Sequence, residues 1–163
     1  MSSKHYFPET AANTLVPRYL KALTRSYPHL SLIEAEKVIY DPQHDPNTVS
    51  IISGGGSGHE PGWSGYVGKG GLAAAACGDI FASPSTKQIL AAMRATPSNV
   101  GYILALTNYT GDKLHFGLAS ERAKAEGLSS NIAMLHLTDD VSIGRSKCGN
   151  IGRRGMPGHV VRK

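Results

Sequence analysis

Apolar positions first recur at helical spacing near the N-terminus. From Asn13 to about Tyr27, Leu20 and Leu23 share one face and Pro28 stops the run, which predicts a helix. Leu30 to Tyr40 is an amphipathic stretch ending in Val38-Ile-Tyr40, and Asp41-Pro-Gln-His-Asp-Pro-Asn47 is a turn-rich connector. Val49-Ser-Ile-Ile52 predicts a short buried strand that runs at once into Ser53-Gly-Gly-Gly-Ser-Gly-His59. Pro84 to Arg94 predicts a second helix with Ser83 or Ser85 as its cap. Val100 to Leu106 predicts a strong strand, and Asn108-Tyr-Thr-Gly-Asp112 turns into a helix that runs to about Glu126 and stops at Gly127. Asn131 to His136 predicts a third strand, followed by Asp139-Asp140.

Strands that alternate with helices of about 12–15 residues imply an α/β fold. The expected architecture is a parallel or mixed sheet with helices on both faces, residues 1–163 forming a single domain. In such sheets ligands sit beyond the C-terminal ends of the strands. Three strand ends carry glycine-rich or acidic text, Gly54–Glu60, Asn108–Asp112 and Asp139–Asp140, and these are expected to converge on one mouth.

Composition narrows the class. The 163 residues are 40% hydrophobic and 18% charged, which suits a packed core and excludes a disordered polyelectrolyte. The longest nearly apolar run, Leu72-Ala-Ala-Ala-Ala-Cys77, is far short of the ~20 residues that cross a bilayer. Met1-Ser-Ser-Lys-His-Tyr-Phe-Pro has no apolar core of a secretory signal, and Cys77 and Cys148 form no Cys-x-x-Cys, so a reducing cytoplasm is the expected compartment. The net charge is +5, but the six basic residues from Arg145 onward carry it, and residues 1–144 sum to −1. The body is therefore not read as a nucleic-acid binder, and no aromatics interleave the basic tail.

The glycine run fits no standard phosphate motif. There is no Gly-Lys-Ser/Thr, the dinucleotide pattern fails at His59 and Pro61, and the hydrolase elbow centred on Ser57 places His59 where glycine belongs. Two readings remain for it, a small-molecule or phosphate site and a structural tight turn. His59 reads as a general acid or base or as a cap of the loop, and Glu60 as the residue that orients His59 or starts the next helix. Asp112 reads as a helix-start carboxylate or as an acid–base group facing His59. Asp139-Asp140 reads as a Mg²⁺ site or as a turn, and His115 and His136 as structural histidines. Trp63 and Tyr66 line a pocket or pack on the sheet.

Four stretches, in order, resemble the dihydroxyacetone kinase family. They are Gly54-Gly-Gly-Ser-Gly-His-Glu-Pro61, Gly78-Asp-Ile-Phe-Ala-Ser-Pro-Ser-Thr-Lys-Gln-Ile89, Asn108-Tyr-Thr-Gly-Asp-Lys-Leu-His-Phe-Gly-Leu-Ala-Ser-Glu-Arg-Ala123, and Asp139-Asp-Val-Ser-Ile-Gly-Arg145 with Gly152-Arg-Arg154. The flavour is that of the fungal, ATP-dependent members. The resemblance implies the first half of the family's substrate domain. It also implies phosphorylation of dihydroxyacetone, and of glyceraldehyde, to the triose phosphate. By the same resemblance His59 and Asp112 are catalytic, and Gly56, Ser57, Gly58, His59, Thr107 and Asp112 bind the substrate. ATP and Mg²⁺ are implied for the full-length enzyme and bound outside this chain, which is assigned no metal ligands of its own. The partner is then a small triose, with no nucleic acid and no membrane, and a homodimer is compatible.

Two departures bear on that expectation. Thr107 stands where the family commonly has a lysine. The family also tethers its ketone on a histidine in the second half of the substrate domain, and His159 lies too early to be that residue. Together with the missing helical ATP-binding domain, this predicts that the chain alone is a poor catalyst. Two alternatives follow: the substrate subunit of a phosphoenolpyruvate-dependent system, and a non-catalytic, triose-binding or regulatory remnant.

Overall fold

The structure, a computed structural model, describes residues 12–138. Helix α1 (Ala12–Ser26) leads into two short strands, β1 (Ser31–Ile33) and β2 (Val38–Tyr40). Then follow β3 (Ser50–Ser57), β4 (Ala74–Ile80), α2 (Thr86–Ala95), β5 (Tyr102–Thr107), α3 (Thr110–Ala125) and β6 (Ile132–Leu137). The six strands form one sheet in the order β1-β2-β4-β3-β5-β6. From β4 to β6 neighbours run parallel, whereas β2 pairs antiparallel with both β1 and β4. The sheet is mixed, and the expected α/β class holds.

Successive strand residues point to opposite faces, so each strand feeds two cores. Val38, Ile52, Ala74, Ala76 and Leu104 pack with Ile89 and Met93 of α2 and Phe116 and Ala119 of α3. Ile39, Ala75 and Cys77 pack with Val16 and Leu20 of α1 on the other face. Helices therefore cover both faces, as the element pattern predicts.

Four strands depart from the sequence reading, and of these β1 and β2 form from the stretch read only as amphipathic. β4 is built from the alanine run, which carries weak strand propensity. Ala74, Ala75 and Ala76 are each fully buried, and small side chains suit a strand sandwiched between helices. β3 does not end at Ile52 but continues through the glycines to Ser57. Gly54 pairs with Ala76 and Gly55 with Cys77, and a bulge follows between Gly55 and Ser57. A Cβ on Gly54 would lie 2.4 Å from the Ala76 carbonyl oxygen, so the close approach of β3 and β4 requires glycine there.

The cap of α2 is Ser85. Its hydroxyl accepts the Gln88 N–H, while the Gln88 side-chain oxygen accepts the Ser85 N–H at 2.9 Å. The same Gln88 amide donates to the carbonyls of Glu36 and Cys77, tying α2 to the end of β4. Asp139-Asp140, the basic residues from Arg145 on, Cys148 and His159 lie outside the described residues.

Candidate functional site

The carboxyl ends of β3, β4 and β5 open onto a cleft of about 530 Å³. Gly56 and His59 enter from β3, Phe81 and Ser83 follow β4, and Thr107 ends β5. Tyr109 to Asp112 contribute the first turn of α3, and Trp63 lines the cleft from the segment after β3. Two of the three strand ends expected to converge therefore do so. The third, at Asp139-Asp140, is not described.

Asp112 is the buried polar centre of this cleft, 4% exposed in the first turn of α3. A carboxylate there is favoured by the free backbone N–H groups of the helix start. Its Oδ2 accepts the Thr107 hydroxyl at 2.6 Å. Its Oδ1 is buried and meets no donor among the described residues. A buried carboxylate oxygen without a donor is costly, so this atom is the one to which an incoming hydroxyl would donate.

His59 lies at the exposed side of the cleft between two aromatic rings. Its imidazole meets Trp63 edge-on at a centroid distance of 5.8 Å and Phe81 at 5.3 Å. The Trp63 ring in turn covers Gly55, whose Cβ would sit 2.6 Å from it. The peptides Glu60–Pro61 and Gly62–Trp63 in the intervening turn are cis. Glu60 has neither role foreseen for it. Its carboxylate folds back to accept the Gly58 N–H, at 2.9 Å from Oε2, and closes the loop.

The remaining sequence candidates divide. Gly56 lines the cleft. Ser57 donates its hydroxyl to the Gly78 carbonyl at 2.8 Å and is buried, and neither it nor Gly58 is part of the lining. A Cβ at Gly56 would meet Ala82 N at 2.7 Å, and one at Gly58 would meet the Phe81 ring at 2.9 Å. The space these glycines leave is thus filled by the turn after β4. Phe81 itself escaped the sequence reading, because β4 was not recognised and its end could not be placed. Tyr66 packs with the α1 core and away from the cleft. His115 is structural, its Nδ1 2.7 Å from the Pro84 carbonyl oxygen.

Two other features lack the marks of a site. A hollow of about 590 Å³ between the end of β2 and the segment leading into β4 is lined by His29, Asp41, Gln43 and residues 65–71, but the Asp41 carboxylate there already accepts the Gln43 N–H. Cys77 is buried in the core beside α1, and burial, with the Glu60 charge adding, pushes its thiol up to about 12 against the opposing pull of Lys37, which suits a core residue and not a nucleophile. Among the described residues no three His, Cys, Asp or Glu side chains gather to hold a metal, and no helix is long and apolar enough to cross a membrane.

The mixed α/β sheet thus carries one histidine and one buried carboxylate at the carboxyl ends of its strands. The particular family follows from comparison. The chain belongs to the Dak1 domain family, whose model matches residues 21–163. It is 52% identical over 159 residues to the dihydroxyacetone kinase of Komagataella pastoris, covering 97% of this chain and 25% of that enzyme. Its fold superposes on the native dihydroxyacetone kinase of C. freundii with TM-score 0.81 and 38% identity, over 98% of this chain and 29% of that one. It also matches a dihydroxyacetone kinase operon co-activator, Dha-DhaQ, with TM-score 0.79 and 36% identity, over 88% of this chain and 43% of that one. The chain thus spans about a quarter of the length of the kinase relatives it matches, in keeping with the amino-terminal part of their substrate domain.

Proposed function

We propose that this chain forms the triose-holding part of a kinase that phosphorylates dihydroxyacetone, and glyceraldehyde, with ATP as donor. The observation that carries this reading is the joint presence of His59 and Asp112 in one cleft, with Asp112 anchored through one oxygen and its other oxygen buried and meeting no donor among the described residues. Phosphoryl transfer to a hydroxyl needs a positioned base and alignment more than covalent chemistry. Asp112 accepts the substrate hydroxyl and draws its proton, and His59 exchanges a proton at the exposed side. Gly56 and Thr107 bound the same space. In this reading ATP and Mg²⁺ are bound outside this chain, in a full-length enzyme; the C. freundii kinase, of which this chain covers 26%, is known in complex with AMP-PNP and Mg²⁺.

The test is binding of dihydroxyacetone to the chain, followed by saturation-transfer NMR. The parent chain is expected to bind, and His59→Ala and Asp112→Asn to lose binding. A parent chain that ignores the triose overturns the reading.

A second reading is a triose-binding regulator without turnover. The likeness to the Dha-DhaQ co-activator supports it, as does the hydroxyl of Thr107 where the family commonly has a lysine cation. Binding of the triose, with no triose phosphate formed by the full-length protein given Mg·ATP, would select this second reading.

A further inference from the structure

Phe81 combines three properties that seldom coincide. It is a bulky residue at φ +54°, in the left-handed region that L side chains avoid. Its side chain is 72% exposed, so it returns little burial to the fold. And its ring lies in the cleft, 5.3 Å from the imidazole of His59 at an interplanar angle of 68°. Strain that the core does not repay is characteristic of residues kept for a task at a site.

The surroundings are shaped to hold that conformation. Phe81 N–H donates to the Ser57 carbonyl at 2.8 Å, and Ala82 N–H to the Asp79 carbonyl at 3.0 Å. Gly56, Gly58 and Gly78 each lack the Cβ that would strike this turn, at 2.7 Å from Ala82 N, 2.9 Å from the Phe81 ring and 1.9 Å from the Ala82 oxygen. Three glycines thus make room for one strained turn. What the turn presents is a ring against the imidazole of His59, which also meets the Trp63 ring at 89°.

We propose that Phe81 is a positioning residue of the cleft: with Trp63 it fences the imidazole of His59, fixing the direction in which a ring nitrogen faces a small hydroxylated ligand. Edge-to-face contacts between rings are directional, so two of them at steep angles leave the imidazole little freedom to turn about its Cβ–Cγ bond. An imidazole held in this way faces a ligand without first losing rotational freedom, the usual gain from preorganisation. The inference rests on the triose reading for its ligand, but not for the contact between Phe81 and His59.

The test uses the whole chain with isotope-labelled histidine and follows the His59 ring signals. In Phe81→Gly, which relieves the left-handed strain, these signals are expected to move toward those of a free histidine. The Tm is expected to stay equal to or above that of the parent. Phe81→Tyr restores the parent signals. Dihydroxyacetone binding weakens roughly tenfold in Phe81→Gly and recovers in Phe81→Tyr. His59 signals that stay put in Phe81→Gly overturn the proposal. So does a Tm several degrees lower in both Phe81→Gly and Phe81→Asn, which assigns the ring to the fold. Triose binding unchanged despite moved signals overturns it as well. If the parent chain binds no triose, the triose reading fails, and the His59 signals and the Tm alone decide this proposal.

Discussion

The Thr107 hydroxyl donates to Asp112 Oδ2 at 2.6 Å and joins the last residue of β5 to the first turn of α3. The contact is buried, and it is the only donor the described residues offer to this carboxylate. Thr107→Val keeps the shape and removes the donor, leaving both carboxylate oxygens unpaired. A hydrogen bond to a charged group contributes about 1.5–3 kcal/mol, so unfolding in urea should show a loss of that order. Thr107→Ser should recover most of it, and a Thr107→Val chain as stable as the parent would show that the pair contributes nothing.

Asp112→Asn separates the two readings of that residue. The amide oxygen still accepts from Thr107, so Tm should change little. If Asp112 served only the helix start, the loss would be about 0.3–1 kcal/mol and triose binding would survive. Loss of dihydroxyacetone binding at nearly unchanged Tm is the expected result.

Two glycines should respond with opposite sign. Gly54→Ala drives a methyl to 2.4 Å from the Ala76 carbonyl oxygen, where only backbone can give way, and should destabilise by at least about 1–3 kcal/mol. Gly117 lies within α3 with nothing inside 4 Å of its added Cβ. Gly117→Ala should stabilise by about 0.5–1 kcal/mol, read as a higher urea midpoint.

Cys77 gives a dependence on pH. Burial raises its thiol from 9.0 to about 12, so between those values the folded chain keeps a proton that the unfolded chain gives up. The stability this contributes is whole below pH 9 and is lost as pH climbs toward 12. Urea midpoints at alkaline pH should fall less steeply in Cys77→Ala than in the parent. Peptide mapping after iodoacetamide treatment should find Cys77 unmodified in the native chain and modified in urea.

The fold class was legible because Ile51, Ile52, Leu104 and Met134 announce strands and the helices of Leu90 and Phe116 alternate with them. β4 was not, since alanines mark a strand only by being buried on both faces, which is a property of its neighbours. The end of β3 was misplaced for a related reason. Glycines 54 to 56 look like a loop, and only the approach of Ala76 shows that they are paired. At the site, His59 and Asp112 were legible as candidate acid–base side chains, and Thr107 only through the family resemblance; the structure lines one cleft with all three. The part Glu60 plays and the presence of Phe81 were not legible, because a carboxylate folding onto Gly58 and a ring reaching His59 depend on a turn that no local pattern encodes.

The strand order has a consequence for how the cleft comes to exist. β3 lies between β4 and β5, so its two flanks are supplied by segments made after it, the second only once α2 has been passed. A chain emerging from the ribosome therefore carries the glycine run and His59 long before β5 and Asp112 arrive to complete them. Until then the half-made sheet has an open edge at β3, the kind that seeks foreign strands. The cleft is finished only when the first turn of α3 closes over Thr107, so the site assembles late along the chain.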